Sequence, residues 1–515
     1  MTKSSALLLL ATSVFAQDPA SFEGQVLNAI TGEPVRKALL TLQSIGPGTP
    51  ASTTSDAKGK FAFPKVAPGD YVLYVRHPAF DPVKVGIRPD GTRGELIQLS
   101  SGEAKAGFLV KLMPYGAFAG RVLDEDGDPI KGLHVAALQW EYTTRGRRLI
   151  ERRSGNTDDQ GNYRIFDIRP GKYVLCVAPE QTTIALSPDE KSFAAVYYPN
   201  SSDSRGSIPV ALSPGQQIGS INFTLRLARY ATVRGRVVAP EGATDMSIEL
   251  MVVNGETRGG LTSGIRNPEG KFQIFGVPPG SFYITGSYRS GGTRFVVQMP
   301  LEVGMKDIEG IELRPLPRMT LNAQVRIEGE TKHKLSGVNV HFEGQGYWLE
   351  QPTLNDEGRF TLRGVEPDIY HIYASAEDLY LKSMQWGTRD ITGDLDLTAG
   401  IPAKTELTIT MAADGGELTG AVRNEKDEPV SAMVALVPLD GNRWWYHVVN
   451  TEKDGRFRVT AIAPGRYKLW AFDEVNRLAL VYDPDFLAPF QGAAVDVEIH
   501  ALEKKSQDLK LTVNK

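Results

Sequence analysis

Apolar and polar residues alternate in short runs along this chain, and the runs are separated by glycine, proline and acidic turn residues. The stretch DDQGNYRIFDIRPGKYVLCV, Asp158 to Val177, is representative. A turn ends at Gly161, Tyr163 and Ile165 alternate with polar neighbours, Pro170-Gly171 makes a second turn, and Tyr173 and Leu175 alternate again. Period two places one face of each run against a core, which predicts two strands joined by a tight turn. Helical periodicity is almost absent from the chain.

The same pattern occurs five times. Gly59, Gly161, Gly270, Gly358 and Gly455 are spaced by 102, 109, 88 and 97 residues. Seven residues beyond each stands Val66, Ile168, Val277, Val365 or Ile462, and ten beyond stands Gly69, Gly171, Gly280, Asp368 or Gly465, each after a proline. Twelve beyond stands Tyr71, Tyr173, Phe282, Tyr370 or Tyr467. Fixed offsets over repeats of about 100 residues mark an internal repeat. Pro presets φ in the second turn and Gly supplies φ > 0; at Asp368 the left-handed region is expected at some cost. Upstream of each turn glycine a short strand, a polar turn and a second strand recur, as in EGQVLNAITGEPV, AGRVLDEDGDPI and TGAVRNEKDEPV, with weaker versions at RGRVV and NAQVR. A last strand closes each repeat. The expected architecture is all-β: a tandem array of five sandwiches, each of roughly seven short strands.

The G-x-V … G-x-P … V opening followed by D-x-x-G-x-F/Y … P-G-x-Y resembles the carboxypeptidase regulatory-like domain. The matching residues are Gly24, Val26, Pro34, Asp56, Gly59, Phe61, Pro68, Gly69 and Tyr71. The resemblance implies a seven-stranded, transthyretin-like (prealbumin-like, Greek-key) sandwich in each repeat, grouped with collagen-adhesin B-type repeats and the carbohydrate-binding-like fold. The second and fifth repeats match as well, whereas the third and fourth diverge in their turns. The expected boundaries are 17–115, 116–228, 229–317, 318–413 and 414–515. Motifs made of turn and core residues specify fold and leave chemistry open.

Residues 1–16 have the composition of a secretory signal: Lys3, an apolar run from Ala6 to Phe15, and small residues ending at Ala16. A periplasmic or extracellular location is expected, with no transmembrane segment in the mature chain. Cys176 is the only cysteine, so no intrachain disulfide can form, and its strand position reads as structural. Charge is nearly balanced, at −4 over 515 residues, which offers no global field for nucleic acid.

The seven histidines have no H-E-x-x-H spacing, and neither a G-x-S-x-G elbow nor a phosphate-binding glycine loop occurs. No enzyme activity and no cofactor are expected, and the peptidase of the family name is absent. Asp124, Asp126 and Asp128 in one glycine turn form a weak calcium candidate beside the reading of a polar hairpin. Arg145, Arg147, Arg148, Arg152 and Arg153 lie on another hairpin, as an anion-binding patch or a solvated surface. A lysine–asparagine crosslink of the collagen-adhesin kind would need a lysine on the first strand, and the five openings carry none.

The aromatic clusters are the most suggestive feature. Trp444, Trp445 and Tyr446 are expected within one strand, and Trp140, Tyr142, Tyr347 and Trp348 fall in comparable hairpins. Flat rings beside polar neighbours suit stacking on sugars, and they equally suit packing between modules. The partner is accordingly a polysaccharide or an envelope or extracellular protein. The remaining readings are an accessory subunit of a separate peptidase or outer-membrane transporter, and a pure structural spacer. Nothing in the sequence fixes the oligomeric state.

Overall fold

A computed structural model describes residues 18–87, 96–143, 146–178, 192–202, 204–252, 261–264, 269–344, 349–473, 475–483 and 485–512. The signal-like residues 1–16 and the pair Tyr347 and Trp348 lie outside them. Nearly every described element is a strand, and no described helix is long and apolar enough to cross a membrane.

One strand plan recurs in all five repeats. The first strand (Ala20–Asn28, Gly116–Asp124, Ala231–Val237, Met319–Glu328 or Gly416–Arg423) lies inside its sheet. On one side it pairs antiparallel with the strand that follows the turn glycine, Lys60–Val66 in the first repeat and Arg456–Ile462 in the fifth. On the other it pairs parallel with the closing strand, such as Ala104–Leu112 or Leu407–Ala412. The strand after the Pro-Gly turn joins the second sheet, where Gly69–His77 pairs with Leu39–Ser44 and Gly465–Phe472 with Met433–Pro438. The alternating residues face inward: Phe61, Phe63, Tyr71 and Leu73 are buried, as are Phe457, Val459, Tyr467 and Leu469. Among the described residues the first repeat has eight strands, beside the expected seven. In the fifth, Leu509–Thr512 pairs with both halves and joins them into one sheet path.

By contact density the chain divides into two compact units. The first consists of Met1–Gln139, Glu151–Pro179 and Ala195–Arg226; the second consists of Trp140–Ile150, Glu180–Ala194 and Leu227–Lys515.

The repeated motif has a physical cause at each position. All five turn glycines have φ between +68° and +78°. A Cβ on any of them would stand 2.1–2.6 Å from the carbonyl oxygen of the first-strand valine: Val26, Val122, Val237, Val325 or Val422. Each of these valines donates its N–H back to the glycine carbonyl, at 2.8–2.9 Å. Only glycine permits that approach. The residue that opens the turn serves as a local acceptor: Asp56 Oδ1 takes the N–H groups of Lys58 and Lys60, and Asp158 and Asn355 do the same in their repeats.

The aromatic at the twelfth position does more than fill the core. Tyr71, Tyr173, Tyr370 and Tyr467 each donate their hydroxyl to the carbonyl four residues back, at 2.6–2.9 Å, fastening the Pro-Gly turn onto its strand. Phe282 keeps the ring without the bond. Tyr467→Phe is therefore expected to cost about 1 kcal/mol, the usual worth of a buried neutral hydrogen bond, with the fold intact. Urea unfolding of the purified variant checks this.

Asp368 departs from expectation. Its backbone does not enter the left-handed region. The residue is buried instead: its carboxylate accepts from the N–H of Ile369 (2.8 Å) and its carbonyl from Leu397 (2.8 Å). Local hydrogen bonds stand where Gly69, Gly171 and Gly280 have φ of +154° to +159°; Gly465, like Asp368, has no positive φ.

Candidate functional site

Trp444, Trp445 and Tyr446 do not share a strand. Residues Arg443–Trp445 form one turn of 3-10 helix, and the strand begins at His447. Asn442 causes the difference: its side chain accepts the N–H of Trp444 at 3.1 Å and its carbonyl that of Trp445 at 3.1 Å, which closes the turn. The three rings therefore leave the backbone in different directions rather than alternating across a sheet.

Each ring is half-buried, against a different surface. Trp444 packs on the core of the fourth repeat. Trp445 lies against Tyr380, Ala412, Ala461 and Ala463, and so touches the fourth and fifth repeats together. Its indole N–H donates to the Leu381 carbonyl at 2.9 Å, and its ring meets Tyr380 edge-on, with centroids 6.3 Å apart and planes at 84°. Tyr380 is held in turn by Asp414, at 2.9 Å. Tyr446 packs on a separate cluster of the fifth repeat that includes Trp470 and Phe472. No common plane remains on which a sugar ring could stack.

A polar chain crosses between the same two repeats. His371, buried on strand Ile369–Ser375, has Nδ1 2.7 Å from Asp394 Oδ1 and Nε2 3.2 Å from the hydroxyl of Tyr482, at the end of helix Arg477–Tyr482. Tyr482 also bonds Tyr373, whose hydroxyl donates to Glu343 at 3.3 Å. The Arg443 guanidinium lies 5.1 Å from the centre of the Tyr482 ring. Burial pushes the Tyr373 and Tyr482 hydroxyls up, so both stay neutral at pH 7. These bonds fasten helix Arg477–Tyr482 to strand Ile369–Ser375. No sequence motif marks this chain, because its five members are spread from Glu343 to Tyr482.

Beside Tyr446, burial holds His447 down to about 4. Its folded pKa lies below the unfolded value of about 6.5, so acid favours the unfolded chain, which takes up the proton first. Stability is expected to fall as pH drops from about 6.5 toward 4. In His447→Gln that slope should flatten, as read by melting temperature against pH.

In the second unit, Trp140 and Tyr142 on strand His134–Thr143 are half-buried. The Arg147 guanidinium lies 4.4 Å from the Trp140 ring centre and 5.9 Å from that of Tyr142, covering the face a sugar would need. The Tyr142 hydroxyl donates to Asp483 at 2.5 Å. Of the other hairpin arginines, Arg152 donates to Gln139 (3.2 Å) and Arg153 to the Arg152 carbonyl (3.2 Å), while Arg145 lies outside the described residues. Asp124 Oδ1 accepts the N–H groups of Asp126 (3.0 Å) and Asp128 (2.8 Å). Asn28 and Asn424 fill the same role in the first and fifth repeats, so the turn needs an acceptor and not a charge. Among the described residues, no three His, Cys, Asp or Glu side chains gather as a metal site. Cys176 is buried within its strand.

Residues 21–100 match the model of the carboxypeptidase regulatory-like domain. No curated protein matches the sequence. Similar solved structures include the Bacillus anthracis TIE protein, at 10% identity and TM-score 0.18 over 76% of this chain and 72% of that one. The minor pilin of Streptococcus agalactiae is similar at 13% identity and TM-score 0.22, over 40% and 96%. A putative carbohydrate binding protein from Bacteroides uniformis is similar at 10% identity and TM-score 0.16, over 56% and 100%. At such scores the likeness carries no functional argument. The chain is thus all-β, and its first repeat carries a carboxypeptidase regulatory-like domain.

Proposed function

We propose that this chain is a secreted, non-catalytic array of five transthyretin-like sandwiches that acts as a structural spacer at the cell envelope, in the periplasm or outside the cell. The observation that carries the reading is the placement of Trp445. Two rings of the most conspicuous aromatic cluster in the sequence, Trp444 and Trp445, pack on the fourth repeat from the fifth, and the Trp445 indole N–H is bonded to the Leu381 carbonyl. A ring that binds sugar must offer its face to solvent; a ring that stiffens an array must bury it. The signal-like N-terminus supports export, and stacked modules give reach.

Affinity electrophoresis of the mature protein in gels containing a panel of polysaccharides tests the reading. The spacer account predicts mobility independent of the polysaccharide. Retardation that disappears in a folded Trp444→Ala/Trp445→Ala variant would overturn it and make the chain a carbohydrate-binding protein.

A further inference from the structure

The first strand of each repeat carries a position where four repeats have glycine and the fourth has alanine: Gly24, Gly120, Gly235, Gly420 and Ala323. In the four glycine repeats a Cβ there would stand 1.8–2.3 Å from a backbone carbonyl of the closing segment, that of Phe108, Ile221, Ile311 or Gln507. The closing segment also runs on beside the residues that precede the glycine. Ser21 pairs with Ala104, Ala117 with Gln217, Val233 with Ile308 and Glu417 with Lys504. The N–H groups of Ser21, Ala117 and Glu417 donate to the carbonyls of Glu103, Gln216 and Glu503 at 2.8–3.0 Å, and the carbonyls of Ala119 and Thr419 accept from Ile221 and Gln507. In the third repeat the Asp307 carboxylate takes the matching N–H, that of Thr232.

The fourth repeat lacks this segment. Parallel pairing between Met319–Glu328 and Leu407–Ala412 begins only at Ala323, opposite Leu407. Just before it the chain turns away: Pro402 has no N–H, Lys404 has φ +61°, and the Thr405 N–H closes the turn on the Pro402 carbonyl. A groove of about 590 Å3 occupies the place, lined by Thr320, Asn322, Arg359, Thr361, Lys404 and Glu406 among others. Thr320 and Asn322, the counterparts of the bonded residues above, are exposed.

We propose that this groove is a docking site for an extended, neutral-to-acidic peptide strand of a partner protein, which adds parallel to Met319–Asn322. The occupant is a strand because the same edge holds an extended, parallel segment in the other four repeats. Main-chain bonds to a free sheet edge are the standard means of such recognition. The acidic preference follows from Lys404: Arg359 is paired with Glu357 (3.4 Å) and Glu406 (3.7 Å), whereas no carboxylate among the described residues pairs with the Lys404 ammonium. The edge spans four residues, about 13 Å. Ala323 is the sequence mark of the site: the four repeats in which the closing segment runs on have glycine there. The proposal goes beyond the spacer reading and is independent of it.

Three synthetic ten-residue peptides test it, each an alternating Thr/Val frame with a benzophenone and carrying Glu, Gln or Lys on its polar face. Each is photo-crosslinked to the full mature chain and the adducts are mapped by mass spectrometry. The expected result is saturable labelling within 319–322 or 401–406, several-fold stronger for the Glu than for the Lys peptide. Unlabelled peptide should compete, and its alternately N-methylated form, which cannot bond the edge, should not. Thr320→Pro should lose the labelling while keeping its circular dichroism; if that variant does not fold, the N-methylated competitor decides. Adducts confined to other segments, no adducts with any peptide, equal competition by the N-methylated form, or labelling that favours Lys would each overturn the proposal.

Discussion

Gly420→Ala is expected to destabilise the fifth repeat by on the order of 3 kcal/mol, while Ala323→Gly, the reverse change at the matching position, should cost only about 1 kcal/mol. The added methyl at 420 would stand 1.9 Å from the Gln507 carbonyl oxygen and 2.8 Å from the Phe457 ring. Backbone cannot yield as a flexible side chain can, so the closing strand must shift, breaking the bond from the Gln507 N–H to the Thr419 carbonyl. Overpacking with loss of a buried hydrogen bond is among the few mechanisms that reach this size. At 323 the change adds no atom, and glycine loses only backbone entropy and one small buried methyl. Chemical denaturation of the two variants beside the wild type gives both values. Equal costs would mean that the glycines do not record the approach of the closing strand.

Trp445→Ala has the second large expected effect, a loss of roughly 2–3 kcal/mol together with weaker coupling of the fourth and fifth repeats. Truncation of a large aromatic in a core costs about 3–5 kcal/mol, and Trp445 is only half-buried, which reduces the figure. The loss removes the edge-on contact with Tyr380, the bond to Leu381, and the cover over Ala412 and Ala463. Trp445→Phe separates the contributions in part, because it retains an apolar ring, smaller than the indole, and loses the N–H bond. Calorimetry should show the last transitions of the wild type overlapping and those of Trp445→Ala drawn apart. A melting profile unchanged in Trp445→Ala would place the coupling elsewhere, foremost in the chain from Asp394 through His371 to Tyr482.

The fold was legible because the repeat writes backbone requirements as residue types. Gly59 and its four counterparts mark a left-handed turn under a carbonyl, and alternation around Phe61 or Tyr467 marks the buried face. The role of the tyrosine hydroxyls was not legible, because alternation reports that a ring is buried and says nothing of a bond to the carbonyl four residues back. The aromatic cluster was legible as a cluster and not as a geometry. A single side-chain acceptor, Asn442, changes strand to 3-10 turn and redirects all three rings. The groove of the fourth repeat was recorded at Ala323, but that mark acquires meaning only once the carbonyl opposite Gly24, Gly120, Gly235 and Gly420 is known.

The central claim, that the fourth and fifth repeats are fixed to each other, is tested most directly by a distance distribution. Spin labels at Asp356→Cys and Lys426→Cys, both exposed, on a Cys176→Ala background, would report the separation of the two repeats by pulsed electron resonance. The account predicts one narrow distance in the otherwise wild-type chain and a broadened distribution when Trp445→Ala is added. A broad distribution with Trp445 in place would contradict it.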